Sequence, residues 1–212
     1  MNKIAVIAGA GKLPTLFLNE AVNKGFEVFP IYLFEEADIE VRTYKNSVKF
    51  SIAQVGKIVK YLKTNEIKKL IMLGKVEKKL IFSNLKFDLA ATKILMSTKN
   101  KKDKNILMAI IKYLEQEGIE VMPQNYLLDK YMTKDFDYTK KVPNLNDMGT
   151  IEIGLEAAKM LTTIDAGQTV IVKNESVIAL EGIEGTDKTI ERAGEYAGKD
   201  CIIVKMARPN QD

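Results

Sequence analysis

The chain has 212 residues, 46% of them hydrophobic, with 32 Lys and Arg against 28 Asp and Glu for a net charge of +4. That length can bury one large core or two small ones, and so small a basic excess does not mark a nucleic-acid-binding protein. One cysteine excludes an internal disulfide, and the lack of any histidine removes His-activated nucleophiles, His general bases and His metal ligands together.

Any metal must then be held by oxygen, which favours Mg²⁺ or Mn²⁺ over Zn²⁺. Cys201 lies in the apolar run Cys201-Ile202-Ile203-Val204 and is expected to be inert core in a reducing compartment.

Lys3-Ile4-Ala5-Val6-Ile7-Ala8 is continuous and apolar, as expected of a central parallel strand buried on both faces. It is too short for a signal peptide or a spanning helix. A cytoplasmic protein that meets lipid only from the membrane surface is expected. A helix over 15–24 follows, opened by Pro14 and closed by Gly25. Strands are predicted at 27–33 and 48–52, then an amphipathic helix at 55–63. The strand 69–73 ends at Gly74-Lys75. Helices at 88–96 and 103–117, the second closed by Gly118, lead to a strand at 119–122. Alternating strands and helices predict a parallel, doubly wound, Rossmann-like sheet over 1–122.

From 123 to 145 the periodicity breaks, and a linker with one helical turn near 127–132 is expected. A second, smaller α/β unit spans 146–212. Asn146 or Asp147 caps its helix at 151–161. Strands at 168–172 and 177–180, the latter buried, flank the hairpin turn Lys173-Asn174-Glu175-Ser176. A helix to about Ala197 and a strand at 200–205 complete the unit. The lysine clusters at Lys78, Lys79 and 99–104 read as solvated faces, which less often lie near anionic lipid.

Two turns carry candidate chemistry. Glu181-Gly182-Ile183-Glu184-Gly185-Thr186-Asp187 joins a strand to a helix. Its glycines let the backbone approach a ligand, and free amides at the helix start can hold a phosphate. Carboxylates beside a phosphate call for a hard cation between them. An ordinary capped turn accounts for the same residues. Gly9-Ala10-Gly11-Lys12 follows the first strand in the manner of a dinucleotide-binding turn, with Pro14 in place of the third glycine. Glu35 and Glu36 stand where a ribose-binding acid would follow the second strand. Gly74-Lys75, Lys205 and Arg208 are weaker candidates, and each is more often a plain turn or a surface charge.

Ile7 to Pro14, Gly74-Lys75-Val76, Gly167-Gln168, Glu181 to Asp187 and Lys205-Met206-Ala207-Arg208 to Asp212 together resemble the LpxI-type UDP-2,3-diacylglucosamine pyrophosphatases of lipid A synthesis. The resemblance implies two domains joined by a linker. It implies Mg²⁺- or Mn²⁺-dependent hydrolysis of a UDP-linked lipid to UMP and 2,3-diacylglucosamine 1-phosphate. It implies transient contact with the inner membrane surface and a possible homodimer. On this reading Gly9, Gly11, Lys12, Leu13, Gly74 and Lys75 hold the nucleotide side. Gln168, Thr186, Lys205 and Arg208 also touch substrate, and Glu184 and Asp187 are catalytic and hold the metal. The family pattern continues with an Arg-Phe-Asp-Leu-Pro-like motif whose aspartate is essential. Asp212 stands a few positions before it, so the smaller unit is expected to be incomplete. The alternatives are a metal-independent nucleotide-binding module, motivated by the glycine turn and Glu35–Glu36, and a catalytically silent fragment.

Overall fold

A computed structural model of the chain describes residues 2–76, 86–98, 103–132, 140 and 142–209. The lysine pair 78–79, most of the cluster at 99–104, linker positions 133–139 and the final residues 210–212 lie outside the described residues. The chain divides into two units, Met1–Lys134 and Asp135–Asp212.

In the first unit, five parallel strands stand in the order β3-β2-β1-β4-β5. They are β1 (Lys3–Ala8), β2 (Glu27–Tyr32), β3 (Val48–Lys49), β4 (Lys69–Leu73) and β5 (Glu120–Val121). This is the doubly wound, Rossmann-like order, with its switch point between β1 and β4. In β1, Ile4, Ala5, Val6 and Ala8 are wholly buried, because helices cover both faces of the sheet. On one face α1 (Leu13–Asn23) packs Phe17, Leu18 and Ala21 against Ile4, Val6 and Ile71. On the other, α3 (Val55–Thr64) sets Ile58, Val59 and Leu62 against Ala5, Phe29 and Leu70. Each of the Ile, Leu, Val and Phe side chains contributes about 1.5–3 kcal/mol on burial. The helices α4 (Leu89–Ser97) and α5 (Asp103–Gln116) follow β4. β2 carries Pro30, tolerated because β3 reaches only Ile31 and Tyr32 and leaves Pro30 at an edge.

Three helix ends in this unit share one closure. After α1, Gly25 N–H donates to Val22 O and Phe26 N–H to Ala21 O. After α5, Gly118 and Ile119 repeat the pattern. After α3 the left-handed residue is Glu66, at φ 57, with Ile67 N–H on Leu62 O. This Schellman closure satisfies orphan carbonyls and drops an apolar residue into the core ahead of the next strand. A short helix that sequence periodicity did not announce, α2 (Ile39–Thr43), is capped by Asp38, whose Oδ1 accepts from Glu40 N–H.

The second unit is built on a three-stranded antiparallel sheet, ordered β7-β6-β8. Its strands are β6 (Thr169–Lys173), β7 (Ser176–Leu180) and β8 (Ile202–Lys205). The helix α6 (Leu145–Thr163) packs Ala158 and Leu161 on Val170, Val172 and Val204. The helix α7 (Thr186–Ala197) sets Ala193 against Ile171 and Ala179. The N-cap of α6 is Asn144, two or three residues before the expected Asn146 or Asp147. Asp147 is instead the reciprocal partner of a capping box. Asn174 and Glu175 both take positive φ, as a two-residue type I′ hairpin requires.

Two expectations are corrected here. The strand 177–180 is not fully buried, since Val177 and Leu180 are 43% and 45% exposed. Cys201 precedes β8 and is only half-buried. Both follow from strand count: in a three-stranded sheet only β6 is central, so β7 and β8 are edges.

Candidate functional site

In the first unit, the turns after β1 and β4 are zipped together at the switch point. Gly9 N–H donates to Leu73 O at 2.7 Å, Ala10 N–H to Lys75 O at 2.8 Å, and Lys75 N–H to Ala10 O at 2.9 Å. A Cβ on Gly9 would lie 2.5 Å from Lys75 O, and one on Gly74 2.8 Å from the Gly9 carbonyl carbon. Gly9 and Gly74 are thus glycines because two backbones touch there. The amides of Gly9, Ala10 and Lys75 serve that contact, which leaves the first turn of α1 as the stretch whose amides are open to an anion. Lys12 caps α1 without a side-chain hydrogen bond, which leaves the helix start open to an anion. Leu13 beside it is 41% exposed.

Lys12 Nζ lies 2.6 Å from Oδ2 of the nearly buried Asp38 side chain. Hydrogen bonding to Lys12, then to the Glu40 amide, holds the Asp38 carboxyl below its usual range. The same bond to Asp38 pushes the Lys12 ammonium up. Glu35, read as a ribose acid, is engaged by Lys49 and by Arg42 Nη1 at 2.8 Å. Hydrogen bonding to Lys49 is the main cause of its lowered pKa. Beneath the turn, on the α3 and α5 face, lies an apolar cavity of about 210 Å³ that includes Ile7, Met72, Val55, Leu107 and Ile110 in its lining.

In the second unit, a chain of hydrogen bonds runs across the start of α7. Glu181 Oε2 accepts from Gln168 N–H at 3.0 Å, and Oε1 from Thr186 Oγ1 at 3.2 Å. Lys205 Nζ, from the end of β8, donates to Thr186 Oγ1 at 2.9 Å. Thr169 Oγ1 lies 3.2 Å from Thr186 Oγ1. Burial, the largest single influence, pushes the Glu181 carboxyl up. Bonds from the Gln168 amide and from the Thr169 and Thr186 hydroxyls, with the Lys205 charge, outweigh it and hold it below the usual range. Gly185 caps α7 at φ 84, ψ 169, a conformation open essentially to glycine alone, and no side chain caps the helix. Of the residues read as substrate-binding, the structure brings Gln168, Thr186 and Lys205 together, linked through Glu181 and Thr186. Sequence reading names Glu181 in the candidate turn without giving it a role and passes over Thr169; the signal that joins them is one of pairing across the sheet, where Glu181 N–H donates to Thr169 O.

Other candidates are engaged elsewhere. Glu184 Oε1 accepts from Arg192 Nη2 at 2.8 Å and from Thr189 Oγ1 at 3.4 Å, and Oε2 accepts from Gly182 N–H at 3.1 Å. Its own amide first, then Arg192, lowers its pKa. Arg208 Nε pairs with Asp165 Oδ1 at 3.0 Å. Asp187, in the first turn of α7, is exposed and bonds to no side chain among the described residues. Among those residues no three Asp, Glu or Cys side chains gather where they could hold an ion. With Arg192 on Glu184, the pair Glu184 and Asp187 does not fit a divalent-ion site in this arrangement. No helix among the described residues is long and apolar enough to cross a membrane.

Fold and site define an α/β protein of two units, each with an uncapped helix start that follows a strand and a glycine turn. Residues 3–131 match the LpxI N-terminal domain and residues 135–212 the LpxI C-terminal domain. The chain belongs to the LpxI family. It is 28% identical over 225 aligned positions to the UDP-2,3-diacylglucosamine pyrophosphatase LpxI of Caulobacter vibrioides, covering 100% of this chain and 79% of that one. Among solved structures it is similar to a UDP-glucose 4-epimerase of Thermotoga maritima, at 13% identity and a TM-score of 0.36, over 55% of this chain and 35% of that one. The Bordetella bronchiseptica enzyme WbmH, in complex with NAD⁺, is similar at 12% identity and a TM-score of 0.38, over 57% of this chain and 54% of that one. The chain thus spans about a third to a half of the length of these solved structures.

Proposed function

We propose that the protein hydrolyses the pyrophosphate bond of UDP-2,3-diacylglucosamine to UMP and 2,3-diacylglucosamine 1-phosphate, a step of lipid A synthesis. Family membership and the name of the Caulobacter relative support this reading. The observation that carries it is the start of α7, which no side chain caps and where the exposed Lys205 ammonium is held against Thr186. A phosphate oxygen there meets the free amides of the first helical turn and a cation.

In the proposed reaction a water oxygen forms a new bond to one phosphorus as the anhydride bond breaks. Lys205 and the α7 amides neutralise the charge that develops. Asp187 is the carboxylate left to orient the water, in a chain without histidine. The open start of α1, with Gly11, Lys12 and Leu13, takes the nucleotide side. The expected Mg²⁺ or Mn²⁺ rests on family resemblance, and no step here is derived through it. Contact with the inner membrane surface and a homodimer stand on the same footing.

The test is release of UMP from UDP-2,3-diacylglucosamine, with and without Mg²⁺, Mn²⁺ or EDTA, for the full-length gene product and its Asp187→Ala variant. The expected result is turnover in the wild type and a loss of about a hundredfold or more in the variant. No UMP release under any metal condition would end the reading, and unchanged turnover in Asp187→Ala would remove that residue from it.

A further inference from the structure

We infer that Thr186 is a positioning residue, one that acts through Lys205 by fixing its ammonium beside the first turn of α7 and does not itself hold the ligand. The inference rests on the anion-binding reading of this turn. A threonine hydroxyl has one proton to give. At Thr186 the best acceptor within reach is the Glu181 carboxylate, whose Oε1 lies 3.2 Å away. Lys205 Nζ, at 2.9 Å, has no lone pair and can only donate to the hydroxyl. With its proton on Glu181, Thr186 has none left for a phosphate oxygen or for Thr169 Oγ1, 3.2 Å away.

Lys205 is placed the other way round. An ammonium has three donors, and one is used on Thr186. The side chain is exposed at the end of β8, so the remaining donors face solvent or a ligand. Its four-carbon stem is flexible, and a charge on such a stem binds an anion best when its position is set beforehand. Thr186 sets it. Glu181 in turn sets Thr186, because its second oxygen is tied to the Gln168 amide at 3.0 Å.

The probe is inorganic pyrophosphate, and the measurement is calorimetric titration of the intact chain without metal. Thr186→Val is expected to weaken binding about tenfold, and Thr186→Ser, which keeps the hydroxyl, to bind as the wild type does. Lys205→Ala is expected to weaken binding more. Adding Thr186→Val to Lys205→Ala is expected to cost nothing further, since the hydroxyl has lost the group it acts through. Wild-type binding by Thr186→Val would overturn the inference. So would an undiminished Thr186→Val effect in the Lys205→Ala background, because the hydroxyl would then touch the anion directly. A wild type that does not bind pyrophosphate would also overturn it, whereas failure of UMP release alone would not.

Discussion

Replacing Gly9 by alanine tests the contact on which the first unit's turn depends. The added Cβ would sit 2.5 Å from Lys75 O, 2.8 Å from Gly74 C and 2.9 Å from Lys75 N. All three are backbone atoms, so no rotamer change relieves the clash. The carboxyl ends of β1 and β4 would have to part, and three bonds of 2.7–2.9 Å, from Gly9 and Ala10 N–H to Leu73 and Lys75 O and back from Lys75 to Ala10, would stretch with them. Overpacking costs about 1–3 kcal/mol, and each lost bond about 1 kcal/mol, so Gly9→Ala is expected to cost about 3 kcal/mol. Gly11→Ala is the control. A Cβ there meets nothing within 4 Å, and its cost is only that of φ +99, about 1–2 kcal/mol. In a chain of this size 1 kcal/mol moves the thermal midpoint by about 2–4 °C. Melting followed by circular dichroism should show a fall of about 10 °C for Gly9→Ala and roughly half that for Gly11→Ala. A Gly9→Ala protein that melts at or above Gly11→Ala would show that the two turns are not locked by backbone contact.

Asp88 caps two helices at once: Oδ1 accepts from Ala91 N–H at 2.9 Å, and Oδ2 from Gly56 N–H at 2.8 Å and Lys57 N–H at 3.3 Å. At about 1 kcal/mol per cap, Asp88→Ala should cost about 2 kcal/mol in urea unfolding, and a loss under half of that would mean water replaces one cap. Glu20 Oε1 accepts from Lys130 at 2.7 Å and from Tyr131 Oη at 2.9 Å, and those bonds, Lys130 first, hold its pKa below the usual value. A carboxyl depressed in the folded state stabilises above its unfolded pKa and loses that stability as pH falls through the folded value. Glu20→Gln should therefore be destabilising at neutral pH and lose less stability than the wild type on acidification. Parallel wild-type and variant curves of melting temperature against pH would contradict this.

The fold was legible where one residue type reports one backbone state. Gly25 and Gly118 announce the ends of α1 and α5, because glycine takes positive φ without a Cβ penalty. Glu66 and Asp165 close α3 and α6 with the same hydrogen bonds, yet glutamate does not signal a left-handed cap and aspartate does so far more weakly than glycine. The five residues of α2 are too few to show a helical period, and Asp38 as its cap is visible only once the turn before it is folded. Exposure of β7 and β8 was hidden for another reason. Val177 and Ile203 read as core in a linear sequence, and only the strand order puts them on edges, at 43% and 49% exposure.

The site was legible in residue type and less so in partnership. Glu184 and Arg192 lie eight residues apart, a spacing outside the i,i+3 and i,i+4 pairs that a helix brings together. They meet because Glu184 sits on the turn ahead of α7 while Arg192 folds back to it, also donating to Leu180 O at 2.9 Å. Of the three acids in the turn, sequence reading gives a role to Glu184 and Asp187 alike, and their partners separate them. Glu181 is occupied by the Gln168 amide and Thr186, and Glu184 by Arg192, Thr189 and the Gly182 amide. Asp187 is the one carboxylate of this turn with no partner among the described residues, and it stands at the positive end of α7. An unpaired carboxylate is the one that can take up a water or a cation without first breaking an ion pair. On the proposed reading, chemistry at this turn therefore falls to Asp187, and a role for Glu184 requires that Arg192 let it go.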